Sequence, residues 1–187
     1  MPQGQDPEAY DRLRRRILWL MPNGLYVLGT RAGGERNLMT ISWVTQVALE
    51  PKAIGVGVER SARTHALMLR GGVFSLNVLP RAERALVRKF VKPVEKIDID
   101  EQTGAGTMNG VAVSSSPSGV PVLESCVAFL DCEVRHRLEL GSHDWFVGEV
   151  VDCGYGSAGT PDQAEAGSGE ALTEVLRMED TRMSYGG

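Results

Sequence analysis

Two extended runs in the C-terminal half of the chain limit its fold more than any other feature. CVAFLDCEVRHRLEL, residues 126–140, and HDWFVGEVVDC, residues 143–153, are separated only by Gly141 and Ser142. Each is rich in β-branched, aromatic and alternating side chains, and successive strand residues point to opposite faces. A two-residue connection starting with glycine is the spacing of a tight hairpin. The pair therefore predicts long antiparallel strands, and the rest of the chain must cover them.

The preceding segments supply strands of matching size. LYVLGT (25–30), RNLMTISWVTQV (36–47), KAIGVGVE (52–59) and GVFSLNVL (72–79) all read as strands, with RAGGE and Pro51 at corners. In KAIGVGVE, Ile54, Val56 and Val58 share one face. The other carries Gly55 and Gly57, which predicts close packing by a helix, a sheet or a planar ligand. Short helices are expected over 64–69 and 82–90. A first helix within residues 1–22 is expected to pack on the barrel, with Asp6 as N-cap, Pro7 in the first turn and Tyr10, Leu13 and Ile17 at helical spacing. Residues 91–118 lose their periodicity and read as a long functional loop or mobile insert. Residues 154–170 are polar and glycine-rich, the composition of a mobile loop. Residues 171–187 regain apolar character, as a segment returning to the barrel or to a dimer interface would. These elements predict a mainly β protein, an antiparallel barrel over 23–153 decorated by short helices.

With 187 residues, 42% of them hydrophobic and 24% charged, the chain can build one full core. A net charge of -4 argues against nucleic acid as a partner. The run Arg12, Arg14, Arg15 and Arg16 reads as the wet face of a helix. No stretch is apolar enough for a signal peptide or a membrane span. Three cysteines without zinc or CxxC spacing read as packing residues, and a reducing cytoplasm is the expected location.

Functional chemistry centres on residues 36–65. In the strand starting at Arg36, one face carries Met39, Ile41, Trp43 and Val47, so Trp43 is expected as a core anchor. The other presents Thr40 and Ser42 between Leu38 and Val44. ERSARTH, residues 59–65, then puts Arg60, Ser61, Arg63 and Thr64 at a strand-to-helix junction. Cations, hydroxyls and free helix N–H groups favour a phosphate. The plainer reading of that junction is a capped helix with its arginines in water. A hydroxyl-lined strand beside a glycine-bearing one, with an anion site at the end, suits a flat phosphorylated ligand. A flavin fits, offering acceptors at N5, O4 and O2 and a donor at N3. Spacing alone leaves FMN and pyridoxal phosphate both open.

The succession GLYVLGT, GERNLMTISWVTQVALEP, GVGVERSARTH and GGVFSLNVLP, closed by CVAFLDCEV and GSHDWFVGEVVD, resembles the flavin reductase-like family of FMN-binding split barrels. That resemblance implies a six-stranded antiparallel Greek-key barrel and a homodimer with FMN, or FAD, near the subunit interface. It implies hydride transfer from NADH or NADPH to flavin, with a flavin-dependent monooxygenase as one downstream partner. Carried over by position, Asn37, Thr40, Ser42, Trp43 and Val44 would border the ring, the last two through their backbone. Arg60, Ser61, Arg63 and Thr64 would hold the phosphate and ribityl chain, Asn77 would complete the pocket, and Lys96 would stand near it. His143 occupies the position associated with the nicotinamide, although the family's acidic residue before that histidine is replaced by Ser142. A structural turn histidine is the alternative for His143, and His65 and His136 read as structural or solvent-facing. Two other activities fit the same barrel: a flavoredoxin-like electron carrier, and an enzyme like pyridoxamine-phosphate oxidase.

Overall fold

The computed structural model describes residues 6–159 and 174–181. Its long hairpin is the spine of the molecule. Strands β10 (Ala128–Leu140) and β11 (His143–Tyr155) pair from Ala128 opposite Tyr155 to Leu140 opposite His143, around Gly141 at φ +81°. That left-handed conformation is one glycine adopts without Cβ strain. β1 (Tyr26–Ala32), β2 (Glu35–Ile41), β3 (Val44–Leu49), β4 (Lys52–Glu59) and β5 (Val73–Val78) complete a seven-stranded antiparallel sheet in the order β2-β1-β5-β10-β11-β4-β3. The sheet bends without closing, as in a split barrel, and carries one strand more than the six expected.

A second sheet accounts for much of the stretch expected to be loop. β6 (Ile97–Ile99), β7 (Gly106–Met108), β8 (Val111–Ser115) and β9 (Pro121–Leu123) form a four-stranded meander. Between the two sheets lies one hydrophobic cluster containing Val27, Leu38, Leu79, Val87, Phe90, Met108, Val113 and Leu123. The bend of the large sheet encloses another, with Leu28, Ile41, Ile54, Val56, Val58, Phe74 and Phe146. Val27 and Leu28 are adjacent yet belong to different clusters, the strand alternation that lets β1 serve both cores.

α2 (Arg63–Gly71) turns Leu67 and Met68 inward and ends at Gly72 in the left-handed conformation. The helix expected over 82–90 is instead a 3-10 turn, Arg81–Glu83, followed by the single turn α3 (Leu86–Lys89). Leu86 and Val87 anchor α3 in the core. Glu174–Thr181 runs back along the molecule: Leu176 is buried and bridges Leu25 and Leu79 through backbone hydrogen bonds.

α1 (Pro7–Leu18) forms as read, with Asp6 accepting from the Glu8 N–H and Pro7 in the first turn. No α1 residue is buried. Leu13, Ile17, Leu18 and Trp19 are all about half exposed. Among the described residues no helix is long and apolar enough to cross a membrane.

Candidate functional site

The extended run from Arg36 does not stay one strand. β2 ends at Ile41 and β3 begins at Val44, with Ser42 and Trp43 forming a break between them. Val44 N–H donates to Ser42 O at 3.1 Å, and Trp43 O accepts from Gly57 N–H at 2.9 Å. This break opens one side of a cleft of about 520 Å³, within the ordinary range for small-molecule sites. The turn 59–64, the segment 91–93 and His143 form its other walls.

Breaking the strand reverses the expected direction of Trp43. Instead of anchoring the core, its indole is 36% exposed and faces the cleft, tilted against His143 with ring centroids 4.5 Å apart. Val47, on the same expected core face, is also exposed. The glycine face of β4 is explained by tryptophans. A Cβ at Gly55 would lie 2.3 Å from the Trp145 ring, and one at Gly57 would lie 3.1 Å from Trp43. Gly57 borders the cleft, whereas Gly55 lies under Trp145.

The two hydroxyls behave differently. Thr40 Oγ1 donates to Val87 O at 2.6 Å, and its N–H donates to Phe90 O at 3.0 Å, so Thr40 fastens the α3 segment to β2. Ser42 Oγ makes no hydrogen bond to a described residue although it lines the cleft, which leaves it able to donate to or accept from a ligand. Asn37 is a brace. Its Nδ2 donates to Thr64 Oγ1 at 2.9 Å and its Oδ1 accepts from Val94 N–H at 2.9 Å, joining β2, α2 and the segment after Lys92.

At the cleft end, α2 begins without a side-chain cap; Ala62 is its N-cap. The expected alternative, in which Ser61 or Thr64 caps the helix, is therefore not what forms. The first amide groups of α2 lack intrahelical acceptors and carry the positive end of the helix dipole. Ser61, Arg63 and Lys92 line the cleft beside them. Arg63 is only loosely held, at 3.4 Å from Val94 O and 3.9 Å from Glu35.

Four expected members lie elsewhere. Asn77 is fully buried between the sheets, donating to Val27 O at 2.9 Å and accepting from Leu123 N–H at 2.8 Å. It stitches the large sheet to β9 and does not reach the cleft. Lys96 lies beyond the lining; its N–H is held by Asn109 Oδ1 at 3.2 Å. Lys92, in the same aperiodic stretch, is the basic residue that lines the cleft. Val44 is in β3 opposite Val56, outside the lining. Arg60 turns away toward Glu139 at 3.7 Å and Asp144 at 3.6 Å.

Asp144 marks a feature that the sequence pattern did not reveal. It follows His143 on β11, so its side chain points to the opposite face. There it is completely buried, 2.7 Å from His65 Nε2 and 3.2 Å from Arg137 Nε. The His65 hydrogen bond, followed by the charges of Arg137, His65 and Arg60, holds the carboxyl below its usual range despite desolvation. This pair ties the first turn of α2 to the strand bearing His143. His136 is exposed on the hairpin. Burial pushes the Cys126 and Cys132 thiols up to about 11 and about 12, whereas Cys153 is exposed. The packing role thus suits the first two cysteines but not the third.

A bent, open antiparallel barrel with an aromatic-walled cleft beside an uncapped helix start places the chain in the split-barrel class. A family model for the flavin reductase like domain matches residues 18–166, and the chain belongs to that family. Among solved structures, the NADH:FAD oxidoreductase SgcE6 of Streptomyces globisporus is 27% identical with a TM-score of 0.65, covering 83% of this chain and 82% of its own. The styrene monooxygenase flavin reductase of Pseudomonas putida S12 is 25% identical at a TM-score of 0.62, covering 78% and 87% respectively. Diflavin flavoprotein A 1 of Synechocystis is 31% identical over 148 residues, 79% of this chain and 24% of its own length. The chain spans about a quarter of the length of the curated relatives it matches.

Proposed function

We propose that the cleft binds FMN and that the chain is an NAD(P)H-dependent flavin reductase. The observation that carries this is the uncapped start of α2 opening, with Ser61, Arg63 and Lys92, into the same cleft as the free hydroxyl of Ser42. One end attracts a phosphate and the other offers small polar groups to a ring edge. When bound, a flavin supplies the hydride-accepting ring.

The protein's part is to bind and orient. Arg63, Lys92, Ser61 and the first α2 amides hold the phosphate, while Asn37 keeps Thr64 and the 91–94 segment in place around it. Ser42 would meet the ring edge, where its O–H would stabilise negative charge. Trp43 and His143 wall the mouth, where a nicotinamide ring would stack and water would be excluded. No general acid or base is needed for direct hydride transfer. Likeness to SgcE6 extends the proposal to FAD as an alternative ligand, and likeness to the styrene monooxygenase reductase extends it to a monooxygenase as acceptor. A second copy of the chain would cover the exposed Val47 and Leu49 of the edge strand β3, giving a cytoplasmic homodimer.

A second reading is favoured by the diflavin flavoproteins, in whose much longer chains a region like this one is a single part. There the module would pass electrons received from another protein, without oxidising NAD(P)H. The purified protein's visible spectrum, followed by NADH or NADPH consumption in air with added FMN, separates the two. Flavin absorbance with nicotinamide oxidation supports the reductase, and flavin absorbance without it supports the carrier. Absence of any FMN binding removes both.

A further inference from the structure

Several arginines of the molecule have carboxylate partners. Arg36 is paired with Glu101, Arg70 with Glu35, Arg81 with Asp180, and Arg135 with Glu149. One short stretch instead concentrates cations that have none. Between positions 84 and 96 lie Arg84, Arg88, Lys89, Lys92 and Lys96 against the single acid Glu95, in a chain whose net charge is -4. All five cations are exposed, and none has a carboxylate partner among the described residues.

The fold gathers them on one side. Leu86 and Val87 point into the core, so Arg84 and Arg88, one helical turn apart, flank the outside of α3. Lys89 and Lys96 are brought together by Asn109, which donates to Lys89 O at 3.0 Å and accepts from Lys96 N–H at 3.2 Å. Lys92 sits between them in sequence and lines the cleft. Thr40 pins the stretch to β2 with its two hydrogen bonds to Val87 and Phe90, so the ridge is held by the strand that borders the cleft. Val91, 47% exposed, adds an apolar spot beside Lys92.

We infer that this ridge is a docking face for an acidic redox protein that meets the mouth of the cleft. Its electron-transfer role rests on the flavin reading above, but its binding role does not. The surface has the form of a protein-binding face rather than a small-anion pocket. Its cations are spread along an exposed flank and do not converge on one pocket: Arg84 and Arg88 share one depression, while Lys92 lines the cleft. One exposed valine among cations gives little to insert into a membrane, whereas it suits a polar, steered encounter between proteins. Such steering speeds association and fades with salt.

The probe is cytochrome b5, an acidic haem protein, with basic cytochrome c as control. In the FMN-loaded protein one NAD(P)H supplies two electrons and reduces two ferric haems, releasing NAD(P)⁺ and a proton. The charge-reversed variant Arg84→Glu/Arg88→Glu/Lys89→Glu leaves the proposed flavin contacts intact. It should reduce cytochrome b5 about tenfold more slowly at low ionic strength, converge with the wild type in 0.5 M salt, and keep its rate of NAD(P)H oxidation with free FMN. Carbodiimide cross-linking to cytochrome b5, which needs no flavin, should map to Lys89, Lys92 and Lys96. Equal cytochrome b5 rates for variant and wild type at low salt, or cross-links elsewhere, would overturn the docking face. Cross-links on the ridge without any haem reduction would leave the face standing and count against the flavin reading.

Discussion

Replacing Asn77 by leucine tests whether this side chain is a brace or a ligand. Leucine fills a similar space but removes the acceptor for Leu123 N–H and the donor to Val27 O, at 2.8 and 2.9 Å. Leu123 N–H is left without an acceptor away from water, while Val27 O, within the β1–β5 ladder, loses one of its hydrogen bonds. At about 2 kcal/mol for the orphaned N–H and about 1 kcal/mol for the lost bond, the loss is about 3 kcal/mol. For a chain of this size that lowers the thermal midpoint by roughly 10 °C. Urea unfolding should show a lower midpoint at unchanged slope, and FMN titration of the folded variant should give the wild-type affinity. An unchanged unfolding midpoint with weakened FMN binding would refute this placement and return Asn77 to the cofactor pocket.

Ser42→Ala should weaken FMN binding roughly fivefold to tenfold by fluorescence titration with little change in stability, because its hydroxyl has only a ligand to serve. Thr40→Val should do the reverse, lowering unfolding stability by about 1 kcal/mol as Val87 O loses one of its two donors and keeps only Phe90 N–H. Acid should expose the carboxyls of Asp144 and Glu101, both held below their usual range, Glu101 chiefly by its hydrogen bond to Arg36. A carboxyl with a lowered folded-state pKa stabilises the fold above about pH 4 and loses that contribution as pH falls through the folded value. Stability measured between pH 5 and pH 2 should therefore fall less steeply for Glu101→Gln than for the wild type. In native protein at pH 8 a thiol reagent should label Cys153 alone, and all three cysteines should react only after unfolding.

Alternation was the most readable signal in the sequence. The hairpin, β1, β4 and β5 stand where it puts them, because each strand buries at least one face against a core. It failed where the chain changes direction without a glycine or proline to mark the place. The break at Ser42 and Trp43 reverses parity, so a tryptophan counted on the core side emerges in the cleft. The second sheet was hidden for a different reason: its strands are only three to five residues long, too short to show a period. Missing that sheet also misplaced Asn77, whose face looks open until β9 is laid over it. The ligand end of the cleft was read from Ser61, Arg63 and Thr64, but Lys92 lay in a stretch with no pattern to orient it. Asp144 was invisible because its partners, His65 and Arg137, are distant in sequence and meet only when α2 closes on the hairpin.

The half-exposed α1 is decoration on the barrel rather than a wall of it. Since none of its side chains completes the interior, mutation can change its greasy flank without weakening the barrel that follows. Leu13 and Ile17 are therefore open to substitution with little consequence for folding.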